Sequence, residues 1–520
     1  MTAGNANGAK SRKETLLELT GNGIAFIDFN RDGRQDLLIL SGAGGRAALY
    51  QNEPGGMREV ASPIAGGWAQ AACVGDVDND GWPDLVVTYF GHNRLYRNTG
   101  KGGFTDITAA AGLPVTGTRW GSGCTLLDYD RDGRLDLFVA NYVDFDPAKA
   151  PKPGSSELCR WRELPVACGP RGLPLARNIL YQQGADGKFR DVSLTAGILK
   201  PGGRYALQAV SADFDDDGWP DIYVACDQTP SLLYRNKHDG TFEERGVEAG
   251  VAYNFDGRLQ SGMGVAVADF DNDGRLDIAK TNFSGDLPSL FHNEDGRFFT
   301  DISREAGLGV HQLLGWGVAW VDFDDDGNRD LLIANGHVYP EAEMASMGES
   351  YRQPTLLFRN EGGLRLRDVT KAAGPALQVP RPARGLAVGD VDGDGRPEAV
   401  ILNMDERPSV LKNMASSGHR FLNLRLEGVK SNRSGLGARV TVEAGGRRWV
   451  DEVMSGTSFY SQHSEVLHFG LGPGAGTLTV TVRWPKGGSV EQRVQRFTGL
   501  VGNALCTLTE GRKEAVCKPY

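Results

Sequence analysis

The chain has 520 residues, 40% hydrophobic and 23% charged, and no stretch approaches the roughly 18 apolar residues that a membrane-spanning helix needs. Its 66 acidic residues outnumber 56 basic ones, for a formal charge of -10, which argues against a partner recognised through a phosphate backbone. Glycine, at 71 residues, is near twice its usual share without a collagen period, which points to many tight turns.

The opening MTAGNANGAKSRK has no apolar signal-peptide core, and residues 1–13 read as a flexible lead. From there the chain is organised by one nine-residue pattern, D-x-D-x-D-G-x-x-D. It recurs seven times, starting at Asp28, Asp76, Asp128, Asp213, Asp269, Asp322 and Asp390. The repeat is about 50 residues long, with insertions in the third and sixth units at 143–177 and 336–354. Each copy follows a short apolar run containing small residues (GVAVADF, GVAWVDF, GLAVGDV) and precedes another (DIYVA, DLLIA). A third run then ends in Arg-Asn or His-Asn (RLYRN, SLFHN, LLFRN), and a fourth follows a glycine turn. Four strands in each of seven units predict an all-β, seven-bladed β-propeller over 14–415, radial closure protecting the sheet edges. The last unit lacks a fourth run, so Glu14 to Leu19 is expected to supply its outer strand and close the ring. Beyond about Ser416 the repeat stops, and the alternation in FLNLRLEG, ARVTVEAG and TLTVTVRWP predicts a small β-sandwich-like domain over 416–510, with 511–520 as a tail.

Carboxylates at alternating positions, a glycine for the sharp turn, a carbonyl at position 7 and a last carboxylate at position 9 gather six or seven hard oxygens, which is calcium chemistry. The side-chain ligands are Asp28, Asn30, Asp32 and Asp36 in the first loop, Asp76, Asp78, Asp80 and Asp84 in the second, and Asp128, Asp130, Asp132 and Asp136 in the third. They continue as Asp213, Asp215, Asp217 and Asp221, then Asp269, Asp271, Asp273 and Asp277, then Asp322, Asp324, Asp326 and Asp330, and finally Asp390, Asp392, Asp394 and Glu398. The carbonyls are those of Arg34, Trp82, Arg134, Trp219, Arg275, Asn328 and Arg396. A turn alone would accept Asn, Ser or Lys at most of these positions, so seven copies in one register point to up to seven Ca²⁺. Asn30 and Glu398 make the first and seventh sites the weakest. Nearly half of all acidic residues lie in these loops, and seven bound Ca²⁺ would turn the net charge to about +4. Loops of this kind fill at about 10⁻⁴ to 10⁻³ M calcium, outside the cytosol, so the protein is expected to be secreted or periplasmic, its signal peptide absent from this sequence.

Cys159 with Cys168, and Cys506 with Cys517, lie close in turn-rich segments and are expected to form disulfides, whereas Cys73, Cys124 and Cys226 read as buried free thiols in strands.

The seven motifs with their small-residue lead-in strands resemble the FG-GAP/VCBS repeats of integrin α-subunit propellers. The region after residue 416 resembles the ASPIC and UnbV domain through Ser431-Asn432-Arg433, Gly435-Leu436-Gly437-Ala438-Arg439-Val440, Ser461-Gln462, His468-Phe469-Gly470-Leu471-Gly472 and Trp484-Pro485-Lys486-Gly487. Together they resemble the cartilage acidic protein type, which implies calcium binding and extracellular interaction without a shared reaction.

With the calcium turns on one face, both insertions emerge on the other, beside NYVDFD, CDQTPS, NFSGDLPS and NGHVYP. A ligand site there would use Tyr142, Asp144, Asp227, Asn282, Asp286, His337 and Tyr339, unless these are loop-packing residues. Two readings stand: a secreted calcium-binding propeller that binds an extracellular protein or polysaccharide, or a propeller enzyme such as a carbohydrate lyase or dehydratase acting on the insertion face.

Overall fold

The computed structural model describes residues 6–42, 45–309, 313–344, 348–474, 476–486 and 493–520, so residues 1–5 of the lead, 345–347 of the second insertion and Gly487 lie outside the described residues. Seven successive antiparallel meanders follow one another along the chain. The first comprises Ile24–Ile27, Asp36–Ile39, Ala48–Glu53 and Gly56–Val60, and each blade starts from its innermost strand. Blades two and three are joined into one hydrogen-bonded path where Phe90 pairs with Trp120.

Small residues open each blade because inner strands crowd the axis. The strands Gly262–Ala268, Gly315–Val321 and Ala383–Gly389 are buried at every position. A Cβ on Gly264 would lie 2.1 Å from the Trp316 carbonyl, and one on Gly317 would lie 2.4 Å from the Leu386 side chain. Farther out, the faces of adjacent blades interdigitate: Leu127, Phe138 and Leu180 of blade three pack with Ile222, Val224 and Tyr234 of blade four.

Closure differs from the expectation. Leu17–Thr20 is a single helical turn rather than a strand, and blade seven has three strands, Ala383–Gly389, Glu398–Asn403 and Ser409–Leu411. Leu16, Leu17 and Leu19 instead pack into the core, and the Leu19 carbonyl accepts a 3.0 Å bond from the buried Arg384 guanidinium. Nor is the described part of the lead free: Asn7 and Lys13 are buried, and Lys13 pairs with Asp405 at 2.7 Å.

The ring is closed by side chains that the Arg-Asn endings already carried. At the end of each third strand, Asn52, Asn98, Gln183, Asn236, Asn293, Asn360 or Asn413 donates its amide to a carbonyl in the metal loop of the preceding blade. Around the ring these bonds measure 2.7–3.0 Å. Asn52 of blade one reaches Val391 of blade seven at 2.8 Å, so the same latch that joins neighbours also joins the ends.

The C-terminal region forms two packed sheets. One orders Leu467–Gly472, Arg420–Glu427, Ala504–Thr509 and Val516–Pro519, and the other Arg447–Glu452, Arg439–Ala444, Leu478–Arg483 and Val494–Leu500. Alternate residues of Leu478–Arg483 are buried, as a sheet with one inward face requires. The expected tail supplies an edge strand, tied to its neighbour by the Cys506–Cys517 disulfide.

Between the two sheets the chain leaves the sandwich and enters the propeller axis. Gln462 pairs with Ala25 of blade one, and Ser455 Oγ donates to Val74 O of blade two at 2.9 Å. Ser455 O accepts from Thr125 of blade three at 2.6 Å, and the Tyr460 amide donates to Gln208 of blade four at 2.9 Å. Ser458 pairs with Val265 of blade five and accepts from the Val318 amide of blade six at 3.0 Å. His463 Nδ1 accepts from the Val388 amide of blade seven at 3.2 Å. One loop thus bonds to the innermost strand of all seven blades.

The free-thiol expectation holds for Cys226, which is buried, and fails for the other two: Cys73 and Cys124 are bonded to each other. They lie at nearly the same place in the inner strands of adjacent blades, three residues ahead of Asp76 and four ahead of Asp128. Ring packing brings them together. The Cys159–Cys168 bond staples the first insertion.

Candidate metal centres and the insertion face

All seven nonapeptides adopt one hydrogen-bonded turn. The first Asp accepts the amide of the glycine at position 6, at 2.6–3.1 Å. That glycine has φ of 87° to 95°, a conformation costly for any other residue, which explains why position 6 never varies. The carboxylate at position 5 accepts the amide of position 7 at 2.8–2.9 Å. The last carboxylate begins the second strand and accepts the amide of the latch residue from the third, as Asp36 does from Asn52 at 2.7 Å and Glu398, on its longer arm, from Asn413 at 3.4 Å.

The turn gathers the carboxylates into clusters. Oxygens of Asp76, Asp78 and Asp84 lie within 4.8 Å of one another, as do those of Asp128, Asp130 and Asp136, of Asp213, Asp215 and Asp217, and of Asp269, Asp271 and Asp277. Burial, reinforced by the neighbouring carboxylates, pushes Asp76, Asp128 and Asp269 up to about 7 and Asp84 and Asp330 up to about 8. Burial also raises Asp136, Asp221, Asp277 and Asp322 well above the ordinary carboxylate range. In Asp28, Asp128, Asp215, Asp269 and Asp324 one buried oxygen has no hydrogen-bond partner among the described residues. Buried, converging, unpartnered carboxylate oxygens are what a hard divalent cation satisfies.

The C-terminal domain covers this face and touches every loop. Arg425 approaches Asp28 at 3.4 Å, and Ser434 accepts the Asp76 amide at 2.9 Å. Pro485 O takes Arg131 of the third loop at 3.0 Å, and Arg483 pairs with Asp213 and, at 2.7 Å, with Asp216 of the fourth. Arg439 donates to Gly274 O of the fifth loop at 2.8 Å and Trp449 to Gly327 O of the sixth at 2.8 Å. Asn423 donates to Gly395 O of the seventh loop at 2.7 Å. These residues and the axial loop escaped the sequence reading because no repeat or spacing marks them; Arg439, Pro485 and Ser461-Gln462 stood out only through the domain resemblance.

On the opposite face the two insertions meet. Trp161 of the first packs at a tilt against His337 of the second at 4.7 Å between ring centres, and Arg162 pairs with Glu349. His337 Nε2 lies 3.4 Å from Glu349 Oε2, and this contact holds the Glu349 carboxyl below its usual range. His337 is fully buried, its Nδ1 accepting the Tyr339 amide at 3.2 Å, and Tyr339 is buried beside it. Tyr142 donates to Asp227 at 2.6 Å, both buried, with the Tyr142 ring against Trp120 and Tyr205. Asn282 is held by its neighbours Leu287 and Ser289. Among the seven residues named for this face, Asp144 is exposed and Asp286 half-buried, while the other five are interior.

Comparison with known proteins agrees with this architecture. The model of the FG-GAP-like repeat matches residues 28–87, 76–139 and 213–279, and that of the ASPIC and UnbV domain matches residues 428–515. Cartilage acidic protein 1 of Mus musculus is 26% identical over 508 residues, covering 91% of this chain and 71% of that protein. Rhamnogalacturonan exolyase YesX of Bacillus subtilis is 29% identical over 253 residues, 39% of each chain. Among solved structures, an Agrocybe aegerita lectin that recognises non-reducing terminal N-acetylglucosamine aligns with a TM-score of 0.42 and 16% identity, covering 76% of this chain and 96% of the lectin. The chain therefore belongs with the FG-GAP-repeat propeller proteins that carry a C-terminal ASPIC and UnbV domain.

Proposed function

We propose that this is an extracytoplasmic, calcium-stabilised propeller that binds an extracellular protein or polysaccharide on its insertion face. The observation that carries the calcium part is the set of buried loop carboxylates left with unpartnered oxygens, which Ca²⁺ would satisfy using Asp28, Asp76, Asp128, Asp213, Asp269, Asp322, Asp390 and their loop partners. Three disulfides support an oxidising compartment, and such compartments hold calcium at the concentrations these loops need.

The division of faces supports the ligand part. The C-terminal domain contacts every loop of the metal-loop face, and the axial loop enters its channel, leaving a cavity of about 640 Å³ between them and blades one, five, six and seven. The opposite face carries the stapled insertion, the half-buried Trp161 and the exposed Asp144. Long loops in compact domains are usually functional, and a disulfide within one limits the entropy lost on binding. The Tyr142–Asp227 pair, which an enzyme reading would favour, is buried among aromatic rings out of reach of a polymer.

Elemental analysis of the purified protein combined with binding to a panel of polysaccharides and matrix proteins tests both halves. Calcium present, and a ligand whose binding is lost in Asp144→Ala and Trp161→Ala at unchanged melting temperature, is the expected result. Absence of calcium, or ligand binding that survives both substitutions and is lost only through changes in the C-terminal domain, would overturn the reading.

A further inference from the structure

In six of the seven blades the residue just before the latch is Gln51, Arg97, Gln182, Arg235, Arg359 or Lys412. From this place Arg97, Gln182, Arg235, Arg359 and Lys412 reach the position-3 carboxylate of their own loop, at 2.5–3.8 Å. Blade five alone has a histidine there, His292, and a third carboxylate, Glu294, faces its second ring nitrogen.

We infer that the fifth loop holds a second metal position at its outer rim, formed by Asp271, Asp273 and His292 and suited to a borderline divalent cation such as Zn²⁺. His292 Nε2 lies 3.1 Å from Asp271 Oδ2 and 3.7 Å from Asp273 Oδ2, and ligand atoms of the three residues fall within 4.8 Å of one another. The histidine side chain is only 10% exposed. Its other nitrogen, Nδ1, faces Glu294 Oε1 at 3.2 Å. A carboxylate on Nδ1 selects the tautomer that leaves Nε2 free to ligate and raises its basicity, an arrangement typical of metal-bound histidines. Imidazole nitrogen with carboxylate oxygen favours zinc-like ions over calcium, which takes oxygen alone.

Asp271 also belongs to the inner cluster with Asp269 and Asp277, where the buried Asp269 Oδ1 has no hydrogen-bond partner among the described residues. The two positions would therefore share Asp271 and Asp273 as bridging carboxylates. Arg275, which pairs with Asp273, is 38% exposed on its side chain and has solvent to retreat to. His238, by contrast, sits beside a single carboxylate, Asp217 at 2.6 Å, and is 45% exposed.

The test is a Zn²⁺ titration by calorimetry of the full chain in millimolar Ca²⁺, with calcium content measured on the same samples and Co²⁺ absorption as a second readout. The wild type is expected to bind one Zn²⁺ that His292→Gln weakens at least tenfold, with loss of the nitrogen-ligated Co²⁺ spectrum. Glu294→Gln is expected to weaken it about tenfold through the ring orientation, and His238→Gln to leave it unchanged. His292→Arg, which installs the pairing used in blades two, four and six, should melt as the wild type and bind no Zn²⁺ at this site. No Zn²⁺ binding by the calcium-loaded wild type, or wild-type affinity in His292→Gln and His292→Arg, would overturn the inference. A calcium-free protein would overturn the calcium reading separately.

Discussion

Replacing Asn52 by alanine tests how the ring is closed. Its amide donates to Gln35 O of its own blade at 3.2 Å and to Val391 O of blade seven at 2.8 Å, and the side chain is 3% exposed. Truncation removes the donor for both bonds and leaves two carbonyls poorly satisfied, at a cost of about 1–3 kcal/mol per bare group, so a loss of about 2–6 kcal/mol is expected. Asn52→Asp should be worse than alanine, since a carboxylate would face both carbonyls, with the Asp36 carboxylate, which accepts the residue's backbone N–H at 2.7 Å, close by. Asn236→Ala, which breaks an interior latch to Tyr129 O at 2.9 Å, should cost a similar amount. Urea denaturation in saturating Ca²⁺ measures all three. A wild-type midpoint for Asn52→Ala beside a large loss for Asn236→Ala would refute closure by this latch, and Asn52→Asp no worse than Asn52→Ala would refute the donor role.

Other expectations follow from the same structure. The loop carboxyls of Asp76, Asp84 and Asp330 are raised to about 7 or 8, above their unfolded values. In chelator their contribution to stability is therefore complete below about pH 4 and lost as pH rises through 8; the melting temperature in EDTA should fall between pH 5 and 8, and excess Ca²⁺ should abolish that fall. Each Ca²⁺ at ten times its Kd adds about 1.4 kcal/mol, so melting in EDTA near neutral pH should be far below that in calcium. The Cys73–Cys124 bond closes a separation of 51 residues, for which chain entropy gives about 4 kcal/mol, so the double Cys→Ser variant should lose more stability than removal of Cys159–Cys168, with a separation of 9. Gln462→Ala removes the acceptor for the Gly456 amide at 2.7 Å and for Ser455 at 3.2 Å, and should loosen the axial loop by about 2–4 kcal/mol; an unchanged melt would show that this loop is not held as its contacts indicate. His337→Ala is expected to destabilise, because the ring is buried in the junction of the insertions, which makes Asp144 and Trp161 the cleaner probes of binding.

What the sequence by itself determined is local and repeated. The nine-residue turn is written completely in its own residues, since Asp28 and Gly33, or Asp269 and Gly274, meet within one turn whatever surrounds them. Seven copies with apolar runs at fixed offsets then impose a β-propeller, and even the latch residues were visible as the Arg-Asn endings, though not their partners. Only the tertiary structure decided what meets across the ring. Cys73 and Cys124 read as unrelated buried thiols until blade packing set their strands side by side. Glu14 to Leu19 offered a plausible strand, but three buried leucines gain more in the core than one edge strand would on the rim. His337 and Tyr142 looked like loop residues open to a ligand because exposure is a property of neighbouring loops, and those come from other blades. The axial loop carries no period at all, since each of its residues answers a different blade, and such contacts exist only once the ring has formed.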